Sequence, residues 1–363
     1  MKHKKNIVII VDDYHGGAGN IAQLLALELQ KSNKVHLILT NLHSKPRYNM
    51  GEINYIDLPM SIMAKNKIAG LFNNIKRMKN VINSINPDFV ISFLDNNNTF
   101  ACLSLWNNKE IPVIVSERSN PVVILPKFPW NILRRIAYKR ANLITVQFEN
   151  FKRFEQGRFT DKCEVTSNIV KTPVVLKSDW NTEKMRFVTF GRLASIKRMD
   201  LMIDIFTEYA KNHSNSELHI WGDGSEKEAL LSQIKNNNME KNIFLMGYNK
   251  DVHYTLLQYD AYMMTSLQEG FPNSLCEAMA VGLPSIAFEC HEGIAELMDN
   301  NQNGYVIPEG NTKEYIEKMN ILTIDKAKRE VMGRHAQKIV NRYNEDAVMK
   351  QWKNCINMAF NNK

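Results

Sequence analysis

Short apolar runs alternate with amphipathic stretches along most of the chain. Ile7–Val11 is an unbroken, mostly β-branched run, the pattern of a parallel strand buried on both faces. Ile21–Gln30 follows with helical spacing, and Val35–Thr40 reads as a second strand. Over 64–85, apolar residues (Ala64, Ile68, Leu71, Phe72, Ile75, Met78, Val81, Ile82, Ile85) recur at helical spacing, with Lys65, Lys67, Lys76, Arg77 and Lys79 between them. That pattern predicts a basic amphipathic helix. Phe89–Leu94 and Val113–Ser116 are further strands, and Pro87 and Pro112 stand just ahead of them, where proline interrupts no ladder.

The scheme restarts in the second half. Arg186–Phe190 is a strand that runs into Gly191-Arg192-Leu193, followed by a helical pattern over 199–212. Glu217–Trp221 is a strand ending at Gly222-Asp223-Gly224. Helix 226–238, strand Ile243–Met246, helix 252–258, strand Ala261–Thr265, helix 274–281 and strand Ser285–Phe288 then alternate. The tail from Lys313 to Phe360 is helical, with Tyr343–Phe360 as a closing helix. Strand-then-helix order predicts an α/β fold with two doubly wound parallel sheets. The irregular polar segment 171–184 sets the boundary. A first domain is expected over 1–172, a second over 173–342, and a closing helix over 343–363 that packs back toward the first. A chain of 363 residues suits two domains of roughly 150–200 residues each.

Composition narrows the classes. The hydrophobic fraction of 44% and charged fraction of 23% are those of a globular protein. The basic head before Ile7 resembles a secretory leader, but its apolar run ends at Asp12-Asp13. No apolar stretch reaches the roughly 18 residues of a membrane span. The five cysteines are scattered without a C-x-x-C pair, which fits a reducing compartment. A cytoplasmic chain is expected, with peripheral attachment to the inner membrane face as a further expectation. Charge is uneven: residues 1–170 hold 23 Lys and Arg against 13 Asp and Glu, a net of +10, whereas 171–363 hold 23 against 25, a net of −2. A basic first half expects an anionic partner. Nucleic acid is not expected, because no aromatic-interleaved strand surface or recognised module is present. An anionic membrane surface is the alternative. Clustered cations on helices 64–85 and Trp130–Arg140 would adsorb to it at about 1 kcal/mol each.

In open parallel sheets, ligands bind at the carboxyl ends of strands, and both halves place glycines there. Gly16-Gly17-Ala18-Gly19 follows the first strand and allows close backbone approach by an anion or a sugar oxygen. The G-x-G-x-x-G pattern is incomplete, since Ala22 takes the last position, so a plain tight turn competes and a nicotinamide cofactor is not expected. In Gly191-Arg192-Leu193 with Lys197, a guanidinium fork and an ammonium lie near a strand's end, a combination suited to a departing pyrophosphate. The most specific stretch is Glu269-Gly270-Phe271-Pro272-Asn273-Ser274-Leu275-Cys276-Glu277. Its two carboxylates straddle a loop-to-helix junction, with Asn273 or Ser274 as the expected cap. His15, His43 and His291 lack metal-ligand spacing, and neither a metal nor a cofactor is expected.

The order Gly191-Arg192-Leu193…Lys197, Gly222-Asp223-Gly224, Glu269-Gly270-Phe271-Pro272…Glu277-Ala278, Gly282-Leu283-Pro284 and Asn303-Gly304-Tyr305-Val306-Ile307-Pro308 resembles the family 4 glycosyltransferases. The resemblance implies a GT-B fold, two Rossmann-like domains facing across a cleft, and retention at the anomeric carbon without a metal. Arg192 and Lys197 would grip the diphosphate of a UDP-sugar, Glu277 the ribose, and Glu269 the transferred sugar. Gly222 belongs to the same donor motif. Gly270, Phe271, Pro272, Asn273 and Ser274 would supply contacts to sugar and phosphate, and Gly16 and Gly17 would approach the diphosphate from the first domain.

Ile91-Ser92-Phe93-Leu94-Asp95, Val115-Ser116-Glu117-Arg118-Ser119-Asn120-Pro121 and Glu289-Cys290 look like the bacterial branch of that family. Its members add hexoses or N-acetylhexosamines to lipid-linked oligosaccharides, O-antigen and capsule, N-acetylgalactosaminyltransferases among them. The implied acceptor is a saccharide carried on a polyprenyl diphosphate. Many relatives carry histidine where this chain has Arg118, and a guanidinium is no general base. If a base is used, Asp95 or Glu117 is the candidate. If the departing phosphate takes the proton, none is needed and Arg118 adds charge stabilisation. A nucleotide-sugar epimerase or a phosphorylase would share the fold, and a non-enzymatic basic binding protein would leave the Glu269/Glu277 stretch unexplained.

Overall fold

The first apolar run becomes the centre of a sheet. The computed structural model describes residues 4–14, 16–60, 67–121, 128–181, 183–249 and 251–361. Among these, β1 (Asn6–Val11), β2 (Lys34–Leu39), β3 (Asn54–Asp57), β4 (Phe89–Phe93), β5 (Val113–Ser116), β6 (Leu143–Val146) and β7 (Cys163–Val165) form one parallel sheet in the order β3-β2-β1-β4-β5-β6-β7. β8 (Met185–Phe190), β9 (Ser216–Trp221), β10 (Ile243–Gly247), β11 (Ala261–Met264), β12 (Ser285–Phe288) and β13 (Gly304–Ile307) form another, ordered β10-β9-β8-β11-β12-β13. Strands buried on both faces are uniformly apolar, as β1 is, with Val8 paired to His36 and Val90 on either side.

The chain divides into two compact units, residues 1–169 with 346–363, and residues 170–345. Each is a Rossmann-like α/β layer structure. In the first unit, the core gathers Ile7, Ile9, Leu25 and Leu37 with Val348, Trp352 and Cys355 of the last helix, Glu345–Asn361. Trp352 packs on Phe93 at 5.5 Å between ring centroids. Full burial of such a ring contributes about 2–3 kcal/mol. In the second, Phe187, Ile203, Phe206, Leu218, Met263 and Tyr315 are core residues. No helix among the described residues is long and apolar enough to cross a membrane.

Several elements differ from the sequence expectation. The first helix spans Gly16–Gln30 rather than starting at Ile21, because its opening turn is built of small residues with no apolar period. It packs so tightly on the preceding loop that a Cβ on Gly19 would lie 2.4 Å from the Asp13 carbonyl oxygen. The basic helix is Lys67–Ile85, and Ala64 and Lys65 lie outside the described residues. Its buried stripe is Asn74, Met78 and Ile82, while Phe72 is 67% exposed. Helix Asp95–Ser104 was not anticipated, because it opens with polar residues.

The basic segment Trp130–Arg140 is also corrected. Arg134 and Arg140 are buried. Arg140 donates to the carbonyl oxygens of Leu105, Asn108 and Ile111, and Arg134 pairs with Glu155 at 2.7 Å. A buried guanidinium must be paired, so these two cations serve the interior instead of facing lipid.

Candidate active site

In the second unit β8 and β11 are neighbours, and the chain continues from them to β9 and β12 in opposite directions. That is the switch point where open α/β sheets hold ligands. The segment after β8 makes a tight turn over Ser195–Lys197. It is locked to the end of β11: Thr265 Oγ1 lies 3.2 Å from the Lys197 carbonyl oxygen and 2.9 Å from that of Arg198, and Leu267 N donates to Ile196 O at 2.9 Å. The lock brings two predicted residues together across the switch point. Lys197 Nζ stands 2.5 Å from Glu269 Oε1, with side chains 20% and 11% exposed. Ser266 Oγ donates to the same carboxylate oxygen at 2.7 Å.

Arg192 sits five positions upstream of Lys197 on the same loop, and is exposed. Backbone bonds hold its loop: Gly191 N donates to Trp221 O and Leu193 N to Asp223 O, both at 2.9 Å. The glycines make this approach feasible. A Cβ on Gly222, whose φ is +146°, would lie 1.8 Å from the Gly191 carbonyl oxygen. Gly222 thus acts on the site by letting two loops touch.

The helix Asn273–Val281 begins without the expected cap. Pro272 occupies the cap position and no side chain caps the helix, so neither Asn273 nor Ser274 fills that role. Proline offers no side-chain acceptor, and Ser274 Oγ instead bonds the Tyr262 hydroxyl at 2.8 Å. The first turn carries the positive end of the helix dipole, while Asn273 N already donates to Phe271 O at 2.9 Å and Cys276 N to Pro272 O at 3.1 Å. Glu277 is half-buried, one turn in, and Glu269 and Gly270 are half-buried in the loop before it. Phe271 is buried against Tyr343, 5.5 Å between centroids, which fixes the loop. Ser266, Thr265 and Tyr262 were missed from sequence, where hydroxyls at strand ends carry no distinguishing pattern.

In the first unit, Gly16 is exposed with φ +74° and Gly17 is half-buried in the opening turn of the first helix. The two candidate bases differ. Glu117 is buried and accepts a hydrogen bond from the Tyr138 hydroxyl. Asp95, the first residue of its helix, keeps 28% side-chain exposure. Burial, and then the neighbouring Glu117, raise its pKa to about 7.

Arg118 is engaged inside the unit and is not presented as a free cation. Its Nη1 donates to Thr166 O at 2.7 Å and its Nη2 to Thr166 Oγ1 at 3.0 Å. The guanidinium lies over the Phe93 and Trp352 rings at 5.5 and 5.3 Å. Desolvation lowers its pKa to about 9. Burial lowers that of His291 to about 4, and His15 lies outside the described residues. Among the described residues, no group of three or more His, Cys, Asp and Glu is gathered to hold a metal ion.

Residues 175–339 match the family described as glycosyl transferases group 1. The second unit is a group 1 glycosyl transferase domain. The match supports the expected transferase class. A poly(ribitol-phosphate) alpha-N-acetylglucosaminyltransferase of Staphylococcus aureus is 29% identical over 53% of this chain and 38% of its own length. Against the first such relatives the chain spans about half their length. Others match end to end. A Campylobacter jejuni alpha-1,4-N-acetyl-D-galactosaminyltransferase, named for a GalNAc-containing undecaprenol diphosphate substrate, is 23% identical over 93% of this chain and 94% of its own. Anabaena HepE, solved in complex with UDP and glucose, superposes with a TM-score of 0.78 at 16% identity over 97% of this chain and 99% of that one. The two Rossmann-like units are of the GT-B fold class.

Proposed function

We propose that the chain is a retaining glycosyltransferase of family 4. On this reading it moves a hexose or N-acetylhexosamine from a UDP-sugar to a saccharide on a polyprenyl diphosphate, in cell-surface glycan synthesis. The observation that carries it is the Lys197–Glu269 pair at 2.5 Å, fixed across the switch point of a glycosyl transferase domain. Lys197 and Arg192 offset the charge that grows on the diphosphate as its bond to the anomeric carbon breaks. Glu269 accepts hydrogen bonds from hydroxyls of the transferred sugar, and Glu277 from the ribose. The start of helix Asn273–Val281 offers the positive end of its dipole to phosphate or sugar oxygens. The acceptor hydroxyl oxygen forms the new bond to the anomeric carbon on the face the diphosphate leaves, the electron pair of the broken bond departs with UDP, and the hydroxyl proton passes to the departing phosphate oxygen.

Two relatives support the chemistry. HepE is solved with UDP and glucose, and the Campylobacter transferase, matched over nearly its full length, is named for a lipid-linked acceptor. Calorimetry with UDP, followed by a UDP-release screen of UDP-sugars against lipid-linked oligosaccharide extracts, tests the reading. No heat with any uridine nucleotide at saturating concentration would sink it.

The exposed Lys76 and Lys79, near exposed Phe72 on the same helix, form the face that meets the anionic leaflet carrying the acceptor. In liposome flotation with anionic lipid, Lys76→Gln/Lys79→Gln should lose membrane binding. A variant that floats like the parent removes the membrane from the reading.

A further inference from the structure

Arg198 follows Lys197 directly and holds a backbone that its own side chain makes costly. It takes φ +50° and ψ 46°, in the left-handed region, at the position that precedes helix Met199–Ala210. Only glycine enters that region freely, and the residue ahead of a helix ordinarily has extended backbone. The turn is secured from outside the residue: the Arg198 carbonyl oxygen accepts from Thr265 Oγ1 at 2.9 Å and from Met202 N at 3.2 Å. Glycine would accept both bonds without strain. An arginine at this position is explained by what its side chain reaches.

Its Nη1 lies 3.3 Å from Glu309 Oε1, with side chains 30% and 46% exposed. Glu309 follows β13, and in the sheet order β11 and β12 stand between β8 and β13. The pair therefore ties the loop after β8 to the loop after β13. It does so across the carboxyl ends of the two strands that lead into Glu269 and Cys290. An ion pair this exposed adds little to stability, but it fixes a direction. Thr265, just past β11, lies 3.2 Å from the Lys197 carbonyl oxygen. The backbone that carries the Lys197 ammonium to Glu269 is thus anchored at the ends of two separate strands, β11 and β13.

We propose that Arg198 is a positioning residue for Lys197. The Arg198–Glu309 tether holds the loop so that the ammonium meets the diphosphate where its charge develops. A misplacement of about 1 Å at such a group can cost a rate about 10²-fold, so a tether of small stabilising effect can still set kcat. The inference rests on the glycosyltransferase reading above.

The test uses the full chain, with initial rates of UDP release on a lipid-linked acceptor beside thermal melts. Arg198→Gln and Glu309→Gln should each lower kcat about tenfold, with KM for the acceptor and the melting temperature at parental values. Combined, they should lower kcat no further than either alone. Arg198→Lys, which keeps a cation for Glu309, should recover part of the rate. In a Lys197→Ala chain, Arg198→Gln should cost nothing more, whereas a residue acting on the fold at large would still lower the residual rate. Parental kcat in both glutamine variants, equal losses with and without Lys197, or a melting temperature that falls with the rate overturns the tether and leaves the glycosyltransferase reading standing. A wild-type chain that turns over no UDP-sugar defeats that reading instead, and ¹³Cε-lysine NMR then judges the tether. The Lys197 signal, assigned by its loss in Lys197→Ala, should shift in Arg198→Gln and Glu309→Gln, and an unmoved signal overturns the tether.

Discussion

Lys197→Ala removes an ammonium 2.5 Å from Glu269 Oε1, in a pair whose side chains are only 20% and 11% exposed. At that depth solvent screens the charge poorly, so the pair differs from a surface salt bridge, whose median value is near zero to 1 kcal/mol. Two separable effects follow. A fixed cation aimed at developing negative charge is worth about 10²–10³ in kcat, roughly 2.7–4 kcal/mol. The ground state suffers as well, because Glu269 is left a mostly buried carboxylate bonded to Ser266 Oγ at 2.7 Å. That costs about 1–3 kcal/mol of stability, or roughly 2–4 °C in Tm for each kcal/mol in a domain of this size. Glu269→Gln on top of Lys197→Ala should restore much of the stability and none of the rate. The assay is the initial rate of UDP release with a lipid-linked acceptor, beside thermal melts of the same samples. Wild-type kcat in folded Lys197→Ala would refute the reasoning, because Lys197 is the cation that pairs with Glu269 among the described residues.

Gly222→Ala places a Cβ 1.8 Å from the Gly191 carbonyl oxygen at a φ of +146°. It should push the Arg192 loop aside, cost about 1–3 kcal/mol and weaken UDP binding measured by calorimetry. Asp95 is held at a pKa of about 7 by burial and then by Glu117, against 3.8 for an ordinary Asp, with Arg134 and Glu155 opposing and adding to the shift. The folded chain keeps a proton that the unfolded chain has lost, so stability should fall as pH rises from about 4 through about 7. Thermal melts across that range should show the fall, and Asp95→Asn should flatten it. A flat wild-type profile counts against the assignment. Arg118→Leu strips Thr166 O of its 2.7 Å donor and the Phe93 and Trp352 rings of their cation. It should lower stability by about 2–4 kcal/mol in urea denaturation. Unchanged stability would return Arg118 to the candidate catalytic groups.

The sequence made the central strands and the donor loops readable for one physical reason. Parallel strands buried on both faces must be apolar throughout, and loops that meet backbone to backbone must be glycine. Ile7–Val11 and Gly191/Gly222 state those requirements in single residues. What could not be read had no such local requirement. β3 is an exposed edge with Tyr55 67% accessible, so its four residues show no apolar pattern. Helix Asp95–Ser104 buries Asn97 and Asn98 by bonding them to Asp12, Ser116 and Tyr138, partners up to 85 positions away. Arg134 and Arg140 read as solvated cations because periodicity registers only apolar residues. Glu155, which pairs with Arg134, is presented by a turn with φ +53° some 20 residues on. Spacing brought Lys197 and Glu269 under suspicion, but only the lock through Thr265 and Leu267 explains why they meet.

The Lys197–Glu269 bond also bears on the order of events in the proposed reaction. In this pair each charge satisfies the other, so neither is left as an unpaired, largely buried ion. A diphosphate that engages Lys197 competes for its ammonium, and Glu269 then recovers acceptor capacity for sugar hydroxyls. Nucleotide binding would thereby prepare the carboxylate that recognises the sugar. The gain from a correct sugar then appears only when the diphosphate is in place, which directs binding energy toward the step where charge develops. Glu269→Gln should break that order: the amide does not hold the ammonium as an ion pair, so UDP alone should bind more tightly than to the parent while transfer is lost. Weaker binding of UDP to Glu269→Gln would show that the pair does not restrain Lys197 in this way.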